Sequence, residues 1–317
     1  MMMRRREFLA AASGASALAG RVPGVAAPSP QGGRTFTMDL VPGMVGVDLP
    51  FPRLVELASR AGFESVAPDA GDLGSLDDEG MAALIEHMRE HGLVFGASGL
   101  PVDFRKDDEA FREGMAALPG FADVLRRAGV TRVGTWLMPR SDELTYLANF
   151  KQHVRRLREV ASVLGDRGLR FGLEYVGPKT LWSSGRYPFV HTMAEARELI
   201  AAIDRENVGL VLDSWHWYTA GESADEIRSL SNEDVVACDL NDAPAGIPVD
   251  EQIDNQRELP ASTGVIDVEA FLEALVAIGY DGPVRAEPFN ATLNAMDDEE
   301  AIEAVAEAMR RAFARIG

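Results

Sequence analysis

The chain has 317 residues, 46% of them hydrophobic, which is enough apolar material for one large core. Its 50 acidic against 31 basic residues leave a net charge of -19, and so acidic a surface repels phosphate backbones and anionic lipid, which argues against nucleic acid as a partner. No apolar run reaches the roughly 18 residues a membrane span needs, and Cys238, the single cysteine, rules out an intrachain disulfide framework.

Residues 1–33 read as an export signal and linker. Arg5-Arg6-Glu7-Phe8-Leu9 has a twin-arginine-like pattern, and an Ala-rich, weakly apolar stretch follows from Leu9 to Gly20. Ala17-Leu18-Ala19 and Val25-Ala26-Ala27 both offer small-residue cleavage sites; the competing reading is a basic tail. Cleavage near Ala27 removes four Arg and one Glu, so the charge becomes about -22 (-19 - 3) in a periplasmic or extracellular protein. Twin-arginine export carries proteins already folded, which favours a loaded metal or other cofactor.

From residue 34 to 317 strand-like and helix-like segments alternate, with no second domain visible. Strands are expected near Phe36–Leu40, Ser65–Ala67, Leu93–Ala97, Arg132–Trp136, Arg170–Tyr175, Val208–Leu212, Val235–Leu240 and Pro283–Ala286. Between them, Val154, Leu157, Ala161 and Leu164 share a helical face, as do Val268, Phe271, Leu272, Leu275 and Val276, and Ile302, Val305, Met309 and Ile316. Thr192-Met193-Ala194-Glu195 predicts a capping box opening a helix to about Ile203. A helix end, a glycine and an apolar strand start recur at Gly62, Gly92, Gly129, Gly168 and Gly279, with Asn207 expected in the glycine's place before Val208. About eight such units, without a Gly-rich phosphate fingerprint after the first strand, point to an α/β fold, a (β/α)8 TIM barrel of parallel strands, rather than an open doubly wound sheet. The irregular segment Asn241 to Ile266 is long enough to be a substrate loop.

Four strands deliver carboxylates at their C-terminal ends: Glu174, Asp213, Asp239 and Glu287, with Asn241 and Asp242 following the third. In a barrel these ends converge on one mouth. Two like charges about 4 Å apart cost roughly 4 kcal/mol at an effective dielectric near 20, so either protons or a cation must accompany the set. An all-oxygen donor set favours a hard ion, Mn2+ or Mg2+, over Zn2+. The competing reading is that such acids only cap helices or form salt bridges.

Leu173-Glu174-Tyr175, Asp213-Ser214-Trp215-His216, Asn241-Asp242-Ala243-Pro244, Arg257-Glu258-Leu259-Pro260 with Gly264-Val265-Ile266-Asp267, and Gly282-Pro283 leading to Glu287-Pro288-Phe289 occur in this order. On these motifs the sequence resembles, from about Phe36 to Gly317, the sugar phosphate isomerase/epimerase family of xylose isomerase-like TIM barrels, which includes ketose 3-epimerases and the endonuclease IV group. The resemblance implies that Glu174, Asp213 and Glu287 bind a divalent metal and that Glu174 and Glu287 move a substrate proton. The family's fourth ligand in the epimerases is a histidine; here Asp239 stands there, which is more like the all-carboxylate site of xylose isomerase and speaks against a zinc nuclease. Strand alternation sends Asp239 and Asn241 to the same side, leaving open which of them faces the metal.

The resemblance further implies that His216 and Arg257 contact substrate, although a lone His can be structural and a loop arginine can be a salt-bridge partner. Lys179 is a candidate for polarising a carbonyl or a solvated side chain, and Trp182, Trp215 and Trp217 are candidates for a flat wall under a sugar ring or for core closure. His87, His91, His153 and His191 read as surface residues. The expected activity is isomerisation or epimerisation of a polyhydroxy carbonyl compound through a metal-stabilised enediolate. A lyase or hydratase on a keto-sugar or keto-glycoside, and an exported sugar-binding barrel without chemistry, are the rivals. The partner expected is a small carbohydrate, and a homo-oligomer stays open.

Overall fold

The computed structural model describes residues 33–316, so the signal-like segment, Gly33 apart, lies outside the described residues. In chain order the strands are β1 (Thr37–Leu40), β2 (Ser65–Val66), β3 (Val94–Phe95), β4 (Ser98–Gly99), β5 (Arg132–Trp136), β6 (Arg140–Ser141), β7 (Arg170–Glu174), β8 (Tyr187–Pro188), β9 (Val208–Asp213), β10 (Val235–Leu240) and β11 (Pro283–Ala286). The helices are α1 (Phe51–Ala61), α2 (Ala70–Ser75), α3 (Asp78–Glu90), α4 (Asp108–Ala128), α5 (Tyr146–Gly165), α6 (Lys179–Trp182), α7 (Met193–Ile203), α8 (Ser214–Thr219), α9 (Ala224–Arg228), α10 (Val268–Ala277) and α11 (Asp298–Phe313).

β6 and β8 form a separate antiparallel pair. The other nine strands make one parallel sheet in the order β3-β2-β1-β11-β10-β9-β7-β5-β4. Its two ends, β3 and β4, are consecutive in the chain and separated only by Gly96 and Ala97. β3 pairs with β2 and β4 with β5, so one interrupted strand joins both edges and closes a TIM barrel of eight staves. The expected single strand Leu93–Ala97 is therefore split. The break lies where the chain passes Asp39, since a Cβ at Gly96 would stand 2.3 Å from Asp39 Oδ1.

Helices cover the outside because each carries one apolar stripe. α1 buries Leu54, Val55, Leu57, Ala58 and Ala61, and α11 buries Ile302, Val305 and Met309 with four alanines; each large side chain so buried contributes about 1.5–3 kcal/mol. The five glycine junctions hold φ between 67° and 86° at Gly62, Gly92, Gly129, Gly168 and Gly279, as helix C-caps require. Asn207 does not take that role. The left-handed cap of α7 is Asp204 at φ 57°, and the Asn207 side-chain amide instead donates to Ala161 O and Leu169 O. α7 starts as predicted, with Thr192 accepting the Glu195 N–H. His153 is a second departure: it is buried between Phe104 and Phe189, and burial lowers its pKa to about 4.

The barrel interior is small below and charged above. Ala97, Val211 and Ala237, from three strands, meet across the lumen. Gly172 makes room for them, since a Cβ there would lie 2.7 Å from Val211 Cγ2. Arg132 and Arg170 reach Val236 O and Val235 O at the opposite end of the strands from the acids. Two residues beyond Gly172, Val211 and Ala237, on the same faces, stand Glu174, Asp213 and Asp239. Asp39, Arg285, Asp239 and Asp213 are register partners on β1, β11, β10 and β9, so one row of four charged side chains crosses the lumen.

Candidate active site

β7, β9, β10 and the residue after β11 bring Glu174, Asp213, Asp239 and Glu287 together, as the spacing predicted. Ligand atoms of Glu174, Asp213 and His216 lie within 4.8 Å of one another, and so do those of Glu174, Asp239 and Glu287. Asp213, Asp239 and Glu287 are held in a hydrogen-bond network. Asp213 Oδ1 accepts the Trp215 N–H at 2.8 Å, which caps α8, and Asn241 Nδ2–H at 3.0 Å. Asn241 Oδ1 in turn accepts the Glu287 N–H at 2.9 Å, so the asparagine braces two acids and Asp239 stands as the fourth carboxylate of the cluster. Arg285 grips Asp239 bidentately, with Nε at 2.6 Å and Nη2 at 3.1 Å.

Arg257 enters from the loop after β10. Its Nη1 donates to Asp213 Oδ2 at 2.7 Å and to Glu287 Oε2 at 2.8 Å; Nη2 donates to Asp254 Oδ1 at 3.0 Å and Nε to Asp254 O at 2.9 Å. The loop keeps this shape because the Asp242 carboxylate accepts four N–H groups, those of Ala243 and Ile266 on Oδ1 and of Thr263 and Gly264 on Oδ2, while Asp242 and Glu258 form a β-bridge. Asp242, though a strand-end acid, thus clasps the loop and does not join the cluster.

His216, one turn into α8, is buried and 3.6 Å from both Glu174 Oε1 and Asp213 Oδ2 through Nε2. The Gly177 N–H points at its Nδ1 at 3.2 Å. Arg257 Nη2 approaches Nε2 at 3.3 Å, so N–H donors face both ring nitrogens. Burial and the Arg257 charge lower its pKa to about 3, keeping the ring neutral. The neutral ring stands beside Glu174 and Asp213, and Glu174 also forms an all-carboxylate group with Asp239 and Glu287.

Burial, reinforced by Glu287, Asp239 and Asp213, raises the Glu174 pKa well above the ordinary range, and burial with the neighbouring acids raises that of Glu287 to about 8. Asp239 is raised by burial although Arg285 opposes it. Glu174 Oε1 is buried with no hydrogen-bond partner. Four carboxylates against the two guanidiniums of Arg257 and Arg285 leave two negative charges (-4 + 2). The orphaned oxygen, the oxygen donors and that deficit all fit one hard divalent cation.

Of the other candidates, Trp215 is buried with its ring 5.5 Å under the Arg257 guanidinium, so it supports the arginine. Trp217 packs in the core against Phe271, and Trp182 stacks on His191 at 4.7 Å. Lys179 is half exposed and pairs with Asp250 of the loop rather than with the four acids. The exposed aromatics at the mouth are two that sequence reasoning passed over. Trp136 is the register partner of Glu174, 40% exposed, and lies under Arg105. Phe289 is 44% exposed, has its ring 4.8 Å from the Arg257 guanidinium carbon, and takes φ 43°, a left-handed conformation that costs a bulky residue about 1–3 kcal/mol. Asp39, Arg285 and Asp254 were missed as well. Alternation along β1 and β11 places the first two in the lumen, and Asp254 lies three residues before Arg257.

The profile of the family described as Xylose isomerase-like TIM barrel matches residues 55–312. An inosose isomerase of Bacillus velezensis is 26% identical over 256 residues, 80% of this chain and 88% of that protein. A ketose 3-epimerase of Arthrobacter globiformis is 28% identical, covering 77% and 79% of the two chains. A 3-dehydroshikimate dehydratase of Pseudomonas aeruginosa is 32% identical over 53% of this chain, a match spanning a quarter of that protein (25%). Among solved structures, a xylose isomerase domain protein from Alicyclobacillus acidocaldarius superposes with a TM-score of 0.78 at 32% identity over 89% of this chain and 99% of that one. The IOLI protein, solved with a zinc atom, gives 0.73 at 21% identity over 89% and 99%. The chain belongs to the xylose isomerase-like TIM barrel family.

Proposed function

We propose that this protein is a divalent-metal-dependent isomerase or epimerase of a polyhydroxy carbonyl compound. The observation that carries the reading is the pair Glu174 and Glu287, two buried carboxylates with raised proton affinity on different strands of one cluster, beside a charge deficit that one divalent cation balances. Glu174, Asp213, Asp239 and Glu287 would hold the ion, and the all-oxygen set favours Mn2+ or Mg2+. Such an ion, when bound, polarises a carbonyl as a Lewis acid.

The chain's own residues supply the rest. One of Glu174 and Glu287 takes the proton from the carbon next to the carbonyl, and the other returns a proton to the same or the neighbouring carbon. His216 Nε2 faces Glu174 and Asp213, Arg257 braces Asp213 and Glu287, and Trp136 and Phe289 flank the mouth. The similarity to inosose isomerase and ketose 3-epimerase supports this reading, and the likeness to 3-dehydroshikimate dehydratase supports a second one in which the same proton abstraction expels a β-hydroxyl as water. The twin-arginine-like Arg5-Arg6 segment supports an exported enzyme.

The test is proton NMR in D2O with Mn2+ and a panel of ketoses and inososes. Metal-dependent deuterium uptake at the carbon next to the carbonyl is expected, and Glu174→Gln or Glu287→Gln should lower it by roughly 100-fold or more. Loss of substrate with formation of an enone would establish the dehydratase reading. Uptake unchanged in both variants would remove the proton-transfer roles.

A further inference from the structure

We infer that the site takes an uncharged polyhydroxy ketone and discriminates against phosphate- and carboxylate-bearing ones, with Asp254 as the residue that sets this selectivity. The inference rests on the reading above for the kind of substrate, and on the disposition of charge for its own content.

An anionic substrate needs a cation with donors to offer, and the two arginines at the cluster, Arg257 and Arg285, are already matched by carboxylates. Arg257 has five N–H groups. Four are engaged by Asp213, Glu287 and Asp254, and the fifth faces the His216 ring, whose Nε2 is 3.3 Å from Nη2. Arg285 is buried and bidentate on Asp239. Lys179 is paired with Asp250, while Arg105 and Lys106 share Asp103. Arg105, the cation over Trp136, also donates to Trp136 O at 2.7 Å, so its fork is turned to the backbone.

The balance of charge points the same way. One divalent cation cancels the two negative charges of Glu174, Asp213, Asp239 and Glu287 with their two arginines. Asp254 is then a surplus negative charge, 3.0 Å from Arg257 and 3.9 Å from the His216 Nε2 that faces the cluster. Its side chain is 31% exposed where Asp213 and Arg257 are buried, so an incoming ligand meets it first. Asp39, buried with both oxygens unpartnered, adds to the negative side. The same carboxylate repels an anion and accepts a hydroxyl proton from a neutral polyol.

Calorimetric titration of the Mn2+-loaded full chain with three cyclitols of like size tests this: myo-inositol, myo-inositol 1-phosphate and quinate. The wild type should bind the neutral compound at least about tenfold more tightly than either anion at low ionic strength. Asp254→Asn keeps an oxygen for Arg257 and removes the charge, so the anion-to-neutral affinity ratio should rise by roughly tenfold, a field effect on charged ligands alone. Wild-type binding of an anion as tight as that of myo-inositol, no binding of myo-inositol, or a ratio unmoved by Asp254→Asn would overturn the inference. Failure of the function reading is separate: neutral-selective binding without deuterium uptake by any ketone would sink the reaction and leave the selectivity standing, whereas turnover with preference for phosphorylated ketoses would do the reverse.

Discussion

Asp239 illustrates what one side chain does in this barrel. Its two oxygens hold Arg285 below the cluster. Replacing it by asparagine leaves the Arg285 charge without its bidentate partner in a buried layer, and breaking a buried pair in this way costs about 3–5 kcal/mol. The expected outcome for Asp239→Asn is a loss toward the lower end of that range, since Glu287 and Asp39 still face Arg285, read as a lower urea midpoint with unchanged slope. The acids themselves were legible, because an apolar run that stops at a carboxylate reads the same in sequence and in space. Arg285 was not, because a charged residue inside a strand gains its meaning only from the neighbour that folding pairs with it. The tryptophans failed for a related reason. Trp215 and Trp217 drew notice by lying next to Asp213 in the chain, but residues in the short α8 turn inward under Arg257 and against Phe271, while Trp136 reaches the mouth through strand pairing with Glu174.

At the scale of the element, the loop after β10 was recognised by its length, and the structure adds how it is shaped. Asp242 folds 26 residues, Asn241 to Ile266, back on themselves through four N–H groups, and Arg257 and Asp254 ride on that fold. Hydrogen bonds to a charged acceptor are worth about 1.5–3 kcal/mol each. Asp242→Ala should therefore loosen the loop well before the barrel: limited proteolysis should cut between residues 244 and 262 at least about tenfold faster than in the wild type, with KM raised more than kcat is lowered. Equal cleavage rates would show that the β-bridge with Glu258 alone holds the loop. The glycine junctions were legible because a left-handed helix cap has a residue preference. Asn207 was misassigned because Asp204 also tolerates that conformation and because an asparagine amide can instead tie two carbonyls together.

For the whole molecule, a cation site of this kind makes stability depend on the cation. Eight staves converge on four acids, and without a metal the fold must hold them together against burial and mutual repulsion. Both glutamates have pKa values raised above the ordinary 4.5, Glu287 to about 8. An acid whose pKa is raised on folding is protonated in the folded state where the unfolded chain has already released its proton. The folded state then binds more protons, so stability falls as pH rises from about 4.5, and the loss is complete only above the folded pKa. A divalent cation that takes the protons' place reverses this, because it favours every ionised carboxylate and adds its own binding free energy to the folded state. The closed ring and its charged upper layer could be anticipated from strand spacing alone, but this coupling depends on how deeply the acids are buried, which only the packed barrel determines.

The measurement that tests this most directly is the melting temperature of the chelated and the Mn2+-loaded protein between pH 5 and about 8.5. Above about pH 6.5, where the buried His153 and His216 are neutral both folded and unfolded, the chelated protein should lose stability as pH rises, and Mn2+ should raise its melting temperature by an increment that grows with pH and shrinks in Glu174→Gln and Glu287→Gln. A chelated protein whose stability does not fall with pH in that range, or an Mn2+ effect that is absent or indifferent to both glutamates, would contradict the claim that these acids form one cation site.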